Sequence, residues 1–203
     1  MEKLFPKKEG VNLSLIKLST NSKYSITPQS DVKYIDKIIK KHIPKNNIVI
    51  VDATGNVGGD TINFALHPQV SHVISIEINK ETFNNLRDNI ELYKLTDKVT
   101  LLNNDSGELL EKCKLKGDLL YIDAPWGGKN YKKFISMNLF LGTQTLSDII
   151  KSTYRCKTFD YILVKVPFNY RIKSILDIRD TTNIHIYKVK TKSGYYLLCF
   201  IRI

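Results

Sequence analysis

Five short runs of almost unbroken apolar, largely β-branched residues constrain this chain more than any other feature: 47–55 (NIVIVDATG), 72–78 (HVISIEI), 99–105 (VTLLNND), 118–125 (DLLYIDAP) and 161–167 (YILVKVP). A strand with one face in water alternates polar and apolar residues, so runs without alternation describe strands buried on both faces. Amphipathic stretches separate them. Residues 79–95 repeat Phe83, Leu86, Ile90 and Tyr93 at three- and four-residue spacing, and 143–154 set Leu146, Ile149 and Ile150 on one face, so both read as helical crossovers. The last stretch, 183–203, holds two strand-like runs joined by TKSG, an antiparallel hairpin closing a sheet edge. The pattern predicts an α/β fold with a seven-stranded, mostly parallel sheet and a C-terminal antiparallel hairpin.

The length of 203 residues suits one domain. Residues 1–46 read as a basic N-terminal extension, with ten lysines against four acids and one helix over 29–43, ahead of a domain spanning 47–203. The net charge of +11 favours a polyanionic partner, because lysines that neutralise phosphates release counterions. No apolar run approaches the ~20 residues of a membrane helix, and the first residues lack the apolar core of a signal peptide. The expectation is an intracellular protein without membrane attachment and monomeric. Cys113, Cys156 and Cys199 are far apart and read as reduced and structural, and neither they nor the four scattered histidines have a metal-ligand spacing. No metal is expected.

In an open parallel sheet, ligands bind beyond the carboxyl ends of the strands. After the first strand comes VDATGNVGGD, 51–60, where Asp52 and Thr54 precede Gly55, Gly58 and Gly59, residues that permit a tight turn and close backbone approach. The spacing matches neither a dinucleotide fingerprint nor a P-loop. Glu77 closes the second strand, suited to accept both hydroxyls of a ribose, and Asp105 ends the third, suited to accept from an adenine amine. Three such ends in chain order describe an adenosine-bearing ligand without a pyrophosphate, which favours S-adenosylmethionine over NAD.

The fourth strand runs into YIDAPWGGKNY, 121–131. An exocyclic purine amine is a poor nucleophile because its lone pair is delocalised into the ring, so catalysis needs acceptors for its N–H bonds. Asp123 and the Ala124 carbonyl are such acceptors. Guanine presents N1–H beside N2–H, a donor pair that a carboxylate accepts in bidentate fashion, whereas adenine would set its N1 acceptor against the same charge. Trp126 offers a stacking face that attracts cations, and Gly127 and Gly128 clear space beside it.

Together, YSITPQ (24–29), VDATGNVGGDTINFAL (51–66), 73–93, 97–105 and the PWGG block resemble the trimethylguanosine synthase family. The resemblance spans roughly residues 20 to 170 and has the form of a stand-alone catalytic domain, as in some large DNA viruses and protists. It implies a Rossmann-like class I methyltransferase using S-adenosylmethionine to convert 7-methylguanosine caps to 2,7-dimethyl- or 2,2,7-trimethylguanosine. By the same resemblance Asp52, Thr54, Gly55, Gly58, Glu77 and Asp105 hold the cofactor, Ser25, Thr27 and Pro28 form a lid, Asp123 and Pro125 frame the amine, and Trp126 stacks on the base. Lys129, Tyr131, Lys165, Asn169 and Arg171 are then candidates for cap or cap-triphosphate contacts, with capped RNA as partner and a site of action in the nucleus or cytoplasm, or as a viral protein in a host cell. Family members usually carry two prolines before the tryptophan, where this chain has DAPW. Two other readings stay open: methylation of a guanine N2 or adenine N6 at internal RNA or DNA sites, and a non-catalytic cap- or RNA-binding module.

Overall fold

A computed structural model describes residues 1–20, 22, 25–178, 183–191 and 194–203, with the side chain of Lys129 outside the described part. The chain forms α1 (Gln29–His42), β1 (Ile48–Asp52), α2 (Gly59–Leu66), β2 (Val70–Ile76), α3 (Lys80–Leu92), β3 (Val99–Leu102), α4 (Ser106–Glu111) and β4 (Leu119–Ile122). Then follow β5 (Phe140–Leu141), β6 (Gln144–Thr145), α5 (Leu146–Cys156), β7 (Tyr161–Pro167), α6 (Lys173–Leu176), β8 (Ile184–Thr191) and β9 (Gly194–Arg202). Seven strands make one sheet in the order β3-β2-β1-β4-β7-β9-β8, and β5 and β6 form a separate two-stranded ribbon. The α/β class with its mostly parallel sheet and C-terminal hairpin is as the apolar runs required. The ribbon was not foreseen, because two-residue strands leave no period to read.

Two compact units divide the chain, Met1–Asn104 and Asp105–Ile203. In the first, β1 pairs with β2 and β2 with β3, both parallel, with Ile50 opposite Val73 and Val73 opposite Val99. α3 begins at Asn79, whose side chain accepts from Thr82 N at 2.9 Å, an N-cap that satisfies an otherwise orphaned donor. Leu86, Ile90 and Tyr93 of the predicted stripe are fully buried. The basic N-terminal stretch is tied down here: Tyr93 Oη donates to Pro6 O at 2.6 Å, and the Asn89 side chain exchanges hydrogen bonds with both backbone groups of Lys17.

In the second unit β4 and β7 are parallel, with Ile122 opposite Val164, and β7 and β9 are antiparallel, with Val164 opposite Cys199. β4 is buried throughout and β7 almost so, which explains their lack of alternation. Among the described residues β8 pairs with β9 alone, and it exposes Lys188 and Lys190, charges of the kind that blunt a sheet edge. The linking residues Lys192 and Ser193 of the predicted TKSG turn lie outside the described residues.

The cysteines depart from expectation. Cys113, just beyond α4, and Cys156, in the last turn of α5, form a disulfide with Cα atoms 5.5 Å apart across 43 residues of sequence, while Cys199 is free. The two helices pack together, bringing into contact residues whose spacing carries no pairing signal. Burial pushes the Cys199 thiol up to about 12, so it is inert at neutral pH. A loop of this length restricts the unfolded chain enough that reduction is expected to cost about 2–4 kcal/mol. Urea unfolding with and without dithiothreitol measures it, and coincident curves would count against the bond.

Candidate active site

The first unit gathers polar groups at the ends of β1 and β2. Asp52 is fully buried; its Oδ1 accepts from Thr54 N at 3.1 Å and its Oδ2 from Thr61 Oγ1 at 2.6 Å, and that hydroxyl also meets Ser75 Oγ at 2.8 Å. Asp52 therefore fastens the glycine-rich turn to α2 and, through Thr61, to β2. Gly55 N donates to Ile76 O at 2.7 Å, and a Cβ on Gly55 would lie 2.3 Å from Ser75 Oγ and 3.2 Å from Ile76 O, so this approach requires glycine. Gly58, at φ +95°, turns the chain into α2.

Glu77 follows β2 directly. Its Oε2 accepts from Asn56 N at 3.0 Å and its Oε1 from Asn79 N at 2.8 Å, which holds the carboxylate against the glycine turn. Burial nevertheless raises its carboxyl above the ordinary range, opposed by the backbone donors of Asn79, Asn56 and Ile78. Of the expected lid residues, Thr27 is fully buried and donates to Asp60 Oδ2 in the first turn of α2 at 2.9 Å, whereas Ser25 and Pro28 are exposed; Tyr24 of the same motif lies outside the described residues. The unit brings Thr54, Gly55 and Glu77 together through Asp52 and the turn. Sequence reasoning missed Asn56, Thr61 and Ser75, of which only Asn56, inside the glycine-rich block, stood where a signal could have found it.

The second unit carries Asp105, Asp123, Trp126 and the residues around them. Asp105 acts as N-cap of α4, its Oδ1 accepting from Gly107 N at 2.8 Å and Glu108 N at 3.3 Å. Gly142, at φ +58°, lies so close that a Cβ there would come within 2.5 Å of Asp105 Oδ2.

Asp123 and Lys165 each follow the register pair Ile122 and Val164 of β4 and β7, so they emerge side by side. Lys165 Nζ donates to Asp123 Oδ2 at 2.7 Å, with only 7% and 12% of the two side chains exposed. Expected on the rim as a phosphate contact, Lys165 is instead a buried partner of the acid. The same ammonium lies 5.6 Å from the Trp126 ring centroid and 5.5 Å from that of Tyr196, so aromatic rings as well as the Asp123 carboxylate surround the cation. Trp126 meets Tyr131 edge-on at 5.2 Å and Tyr196 at 6.2 Å, and its indole Nε1 is buried and finds no hydrogen-bond partner among the described residues.

Gly127 and Gly128 have φ of +80° and +74°, and among the described residues, their chain neighbours aside, nothing lies within 4 Å of where a Cβ would stand. They supply both the left-handed turn and open space after the tryptophan. Asn169, also expected on the rim, is buried, with Nδ2 donating to Tyr131 O at 2.8 Å and Phe134 O at 2.7 Å, so it fixes the segment that carries Tyr131. Burial raises the Tyr131 hydroxyl above its ordinary range, with Lys165 pulling the other way. Arg171 is exposed, Pro125 is exposed next to the buried Ala124, and the Lys129 side chain lies outside the described residues. Tyr196 comes from the last strand, where no local signal marked it. Among the described residues no cluster of three or more His, Cys, Asp or Glu stands ready for a metal ion, and no helix is long and apolar enough to cross a membrane.

Residues 47–200 match the sequence profile of a family described as RNA cap guanine-N2 methyltransferase. The chain is similar to the uncharacterized protein L320 of Acanthamoeba polyphaga mimivirus, 26% identical over 195 residues covering 86% of this chain and 75% of that protein. Its fold is similar to M. capricolum TrmK, solved in complex with S-adenosyl-homocysteine, with a TM-score of 0.57, 13% identity, and 83% of this chain and 67% of that one covered. A methyltransferase from Geobacter sulfurreducens shares the fold too, with a TM-score of 0.55, 15% identity, and 88% and 81% covered.

Proposed function

Because this chain belongs to the RNA cap guanine-N2 methyltransferase family, we propose that it methylates N2 of a 7-methylguanosine cap on RNA, giving the 2,7-dimethyl or 2,2,7-trimethyl product. It is an S-adenosylmethionine-dependent RNA methyltransferase. The observation that carries the cap assignment is Trp126 beside Asp123, an aromatic face next to a carboxylate at the end of β4.

The first unit suits the cofactor: a turn whose backbone at Gly55 excludes any side chain, with a carboxylate of Glu77 held against it. S-adenosylmethionine supplies an electrophilic methyl group when bound. Glu77 accepts the ribose hydroxyls, the turn at Thr54, Gly55 and Gly58 faces the ligand with backbone, and Asp52 keeps that turn in shape from beneath. Ser25, Thr27 and Pro28 close over it. In the second unit Trp126 stacks on the base with Tyr131 against its edge. Asp123 and the segment at Pro125 hold the amine N–H groups, which turns the nitrogen lone pair away from the ring and toward the methyl. Lys165 and Asn169 are positioning residues, the first orienting Asp123 and the second the Tyr131 segment, while Lys129 and Arg171 attract the cap phosphates.

Incubation with labelled S-adenosylmethionine and 7-methyl-GTP, GTP, capped RNA or uncapped RNA, followed by mass spectrometry, tests the reading. Methylation of the 7-methylated substrates with GTP left unreacted is expected; equal turnover of GTP would sink it. One observation favours a second acceptor, an unmethylated guanine, because the Lys165 ammonium beside Trp126 opposes a cationic base. The GTP and uncapped RNA arms decide between the two.

The raised carboxyl of Glu77 gives a signed expectation. Its ionised form accepts both ribose hydroxyls, so cofactor affinity is present at neutral pH and lost as pH falls through the folded-state value, which lies above that of an ordinary glutamate. Glu77→Gln is expected to weaken S-adenosylhomocysteine about tenfold or more and to flatten this dependence. Calorimetric titration across roughly pH 5 to 8 reads both; unchanged affinity in the variant would remove Glu77 from the ribose.

A further inference from the structure

An aromatic series leaves Trp126 and runs to the surface of the second unit. Tyr131 lies 5.2 Å from Trp126, Phe168 lies 6.3 Å from Tyr131, and Tyr195 lies 5.8 Å from Phe168, centroid to centroid. The outer pairs meet at 55° and 53° rather than stacking face to face, so neighbouring rings do not cover each other's faces. Phe168 stands just past the end of β7 with 36% of its surface exposed, which a ring serving only to fill the core would not show. Lys188 Nζ lies over the Tyr195 ring at 3.8 Å, and Lys190, paired in register with Tyr195, is exposed on the edge strand β8. Aromatic faces interleaved with cations are the means by which proteins hold single strands without reading their sequence, bases stacking on rings and lysines meeting phosphates.

We infer that Phe168 and Tyr195, flanked by Lys188 and Lys190, bind the single-stranded RNA that follows the cap, one or two nucleotides beyond the base on Trp126. The inference rests on the cap reading, since it is Trp126 that marks where the strand starts. Each ring-to-ring step exceeds the about 3.4 Å between stacked bases, so the strand that follows this series is unstacked. An RNA whose first nucleotides are paired in a duplex cannot supply it. A chain of net charge +11 meeting a polyanion makes RNA the occupant this face suits better than a protein.

Fluorescence anisotropy with 7-methyl-GDP and with capped oligoribonucleotides of one, two and four nucleotides, each also uncapped, separates the two readings. Affinity is expected to rise about tenfold or more from 7-methyl-GDP to the capped dinucleotide. Phe168→Ala and Tyr195→Ala should each remove most of that gain while leaving 7-methyl-GDP binding as it was. Lys188→Gln should lower the slope of log affinity against log salt by about one. Affinity independent of RNA length, or a gain that survives both aromatic replacements, overturns the inference and leaves the face to a protein partner. Failure of 7-methyl-GDP to bind while uncapped RNA still gains from Phe168 and Tyr195 would overturn the cap reading and keep this one.

Discussion

Asp123→Ala is expected to abolish methyl transfer and to lower the free energy of unfolding by about 3–5 kcal/mol, the usual cost of removing one partner of a buried ion pair. Lys165 is 6% exposed and donates to the Asp123 carboxylate at 2.7 Å, so the variant would take that carboxylate away from an ammonium buried beside Trp126 and Tyr196. Two aromatic faces offset only part of that charge. Lys165→Met removes the ammonium from beside the carboxylate instead and should cost a similar amount. The double variant Asp123→Ala/Lys165→Met removes both charges, and because apolar groups replace buried ion pairs at little cost, it should regain most of the stability and none of the activity. Urea denaturation of the four proteins alongside a methyl-transfer assay measures this cycle. Single variants within about 1 kcal/mol of the parent would mean that the pair does not hold in solution.

For Trp126→Ala the expected loss falls on the acceptor. Stacking on an aromatic side chain contributes about 1–3 kcal/mol per base, so 7-methyl-GDP should bind roughly 10- to 100-fold more weakly. Trp126→Phe should keep about half of that free energy, and it sacrifices no hydrogen bond made within the described residues, where the indole Nε1 has no partner. Comparing 7-methyl-GDP with GDP in both proteins adds a second readout. If the tryptophan face selects the cationic base, the ratio of the two affinities falls along with the affinity itself, and more steeply for alanine than for phenylalanine. Equal binding of 7-methyl-GDP by the parent and Trp126→Ala would take the base away from this ring.

Much of the fold could be read along the chain, since strand and helix patterns are local. The run expected over 118–125 contains β4 at Leu119–Ile122, and the stripe expected over 79–95 contains α3 at Lys80–Leu92. The glycine-rich turn was legible too, because Gly55 and Gly58 answer to steric demands within a few residues. Lys165 was the misread residue, and a signal for it existed. A lysine inside YILVKVP, a run buried on both faces, must find a counter-charge, so it belonged with an acid at a neighbouring strand end rather than with solvent phosphates. For Asn169 no such signal existed, as an asparagine after a strand suits a turn, a ligand contact or a backbone clamp equally well.

The amino-acid order was enough to state the α/β class, the crossover helices, the turn that excludes side chains, and the grouping of an acid with a tryptophan after the fourth strand. Those features depend on residues close together in the chain, where period, branching and backbone conformation carry the information. Which distant groups meet was another matter. Asp123 reaches Lys165 because Ile122 and Val164 share a register, Tyr196 comes to Trp126 from the last antiparallel strand, and Cys113 finds Cys156 because two helices pack. Charge pairing, ring contact and disulfide closure are fixed by distances through space, and those distances exist only once the strands have chosen their neighbours.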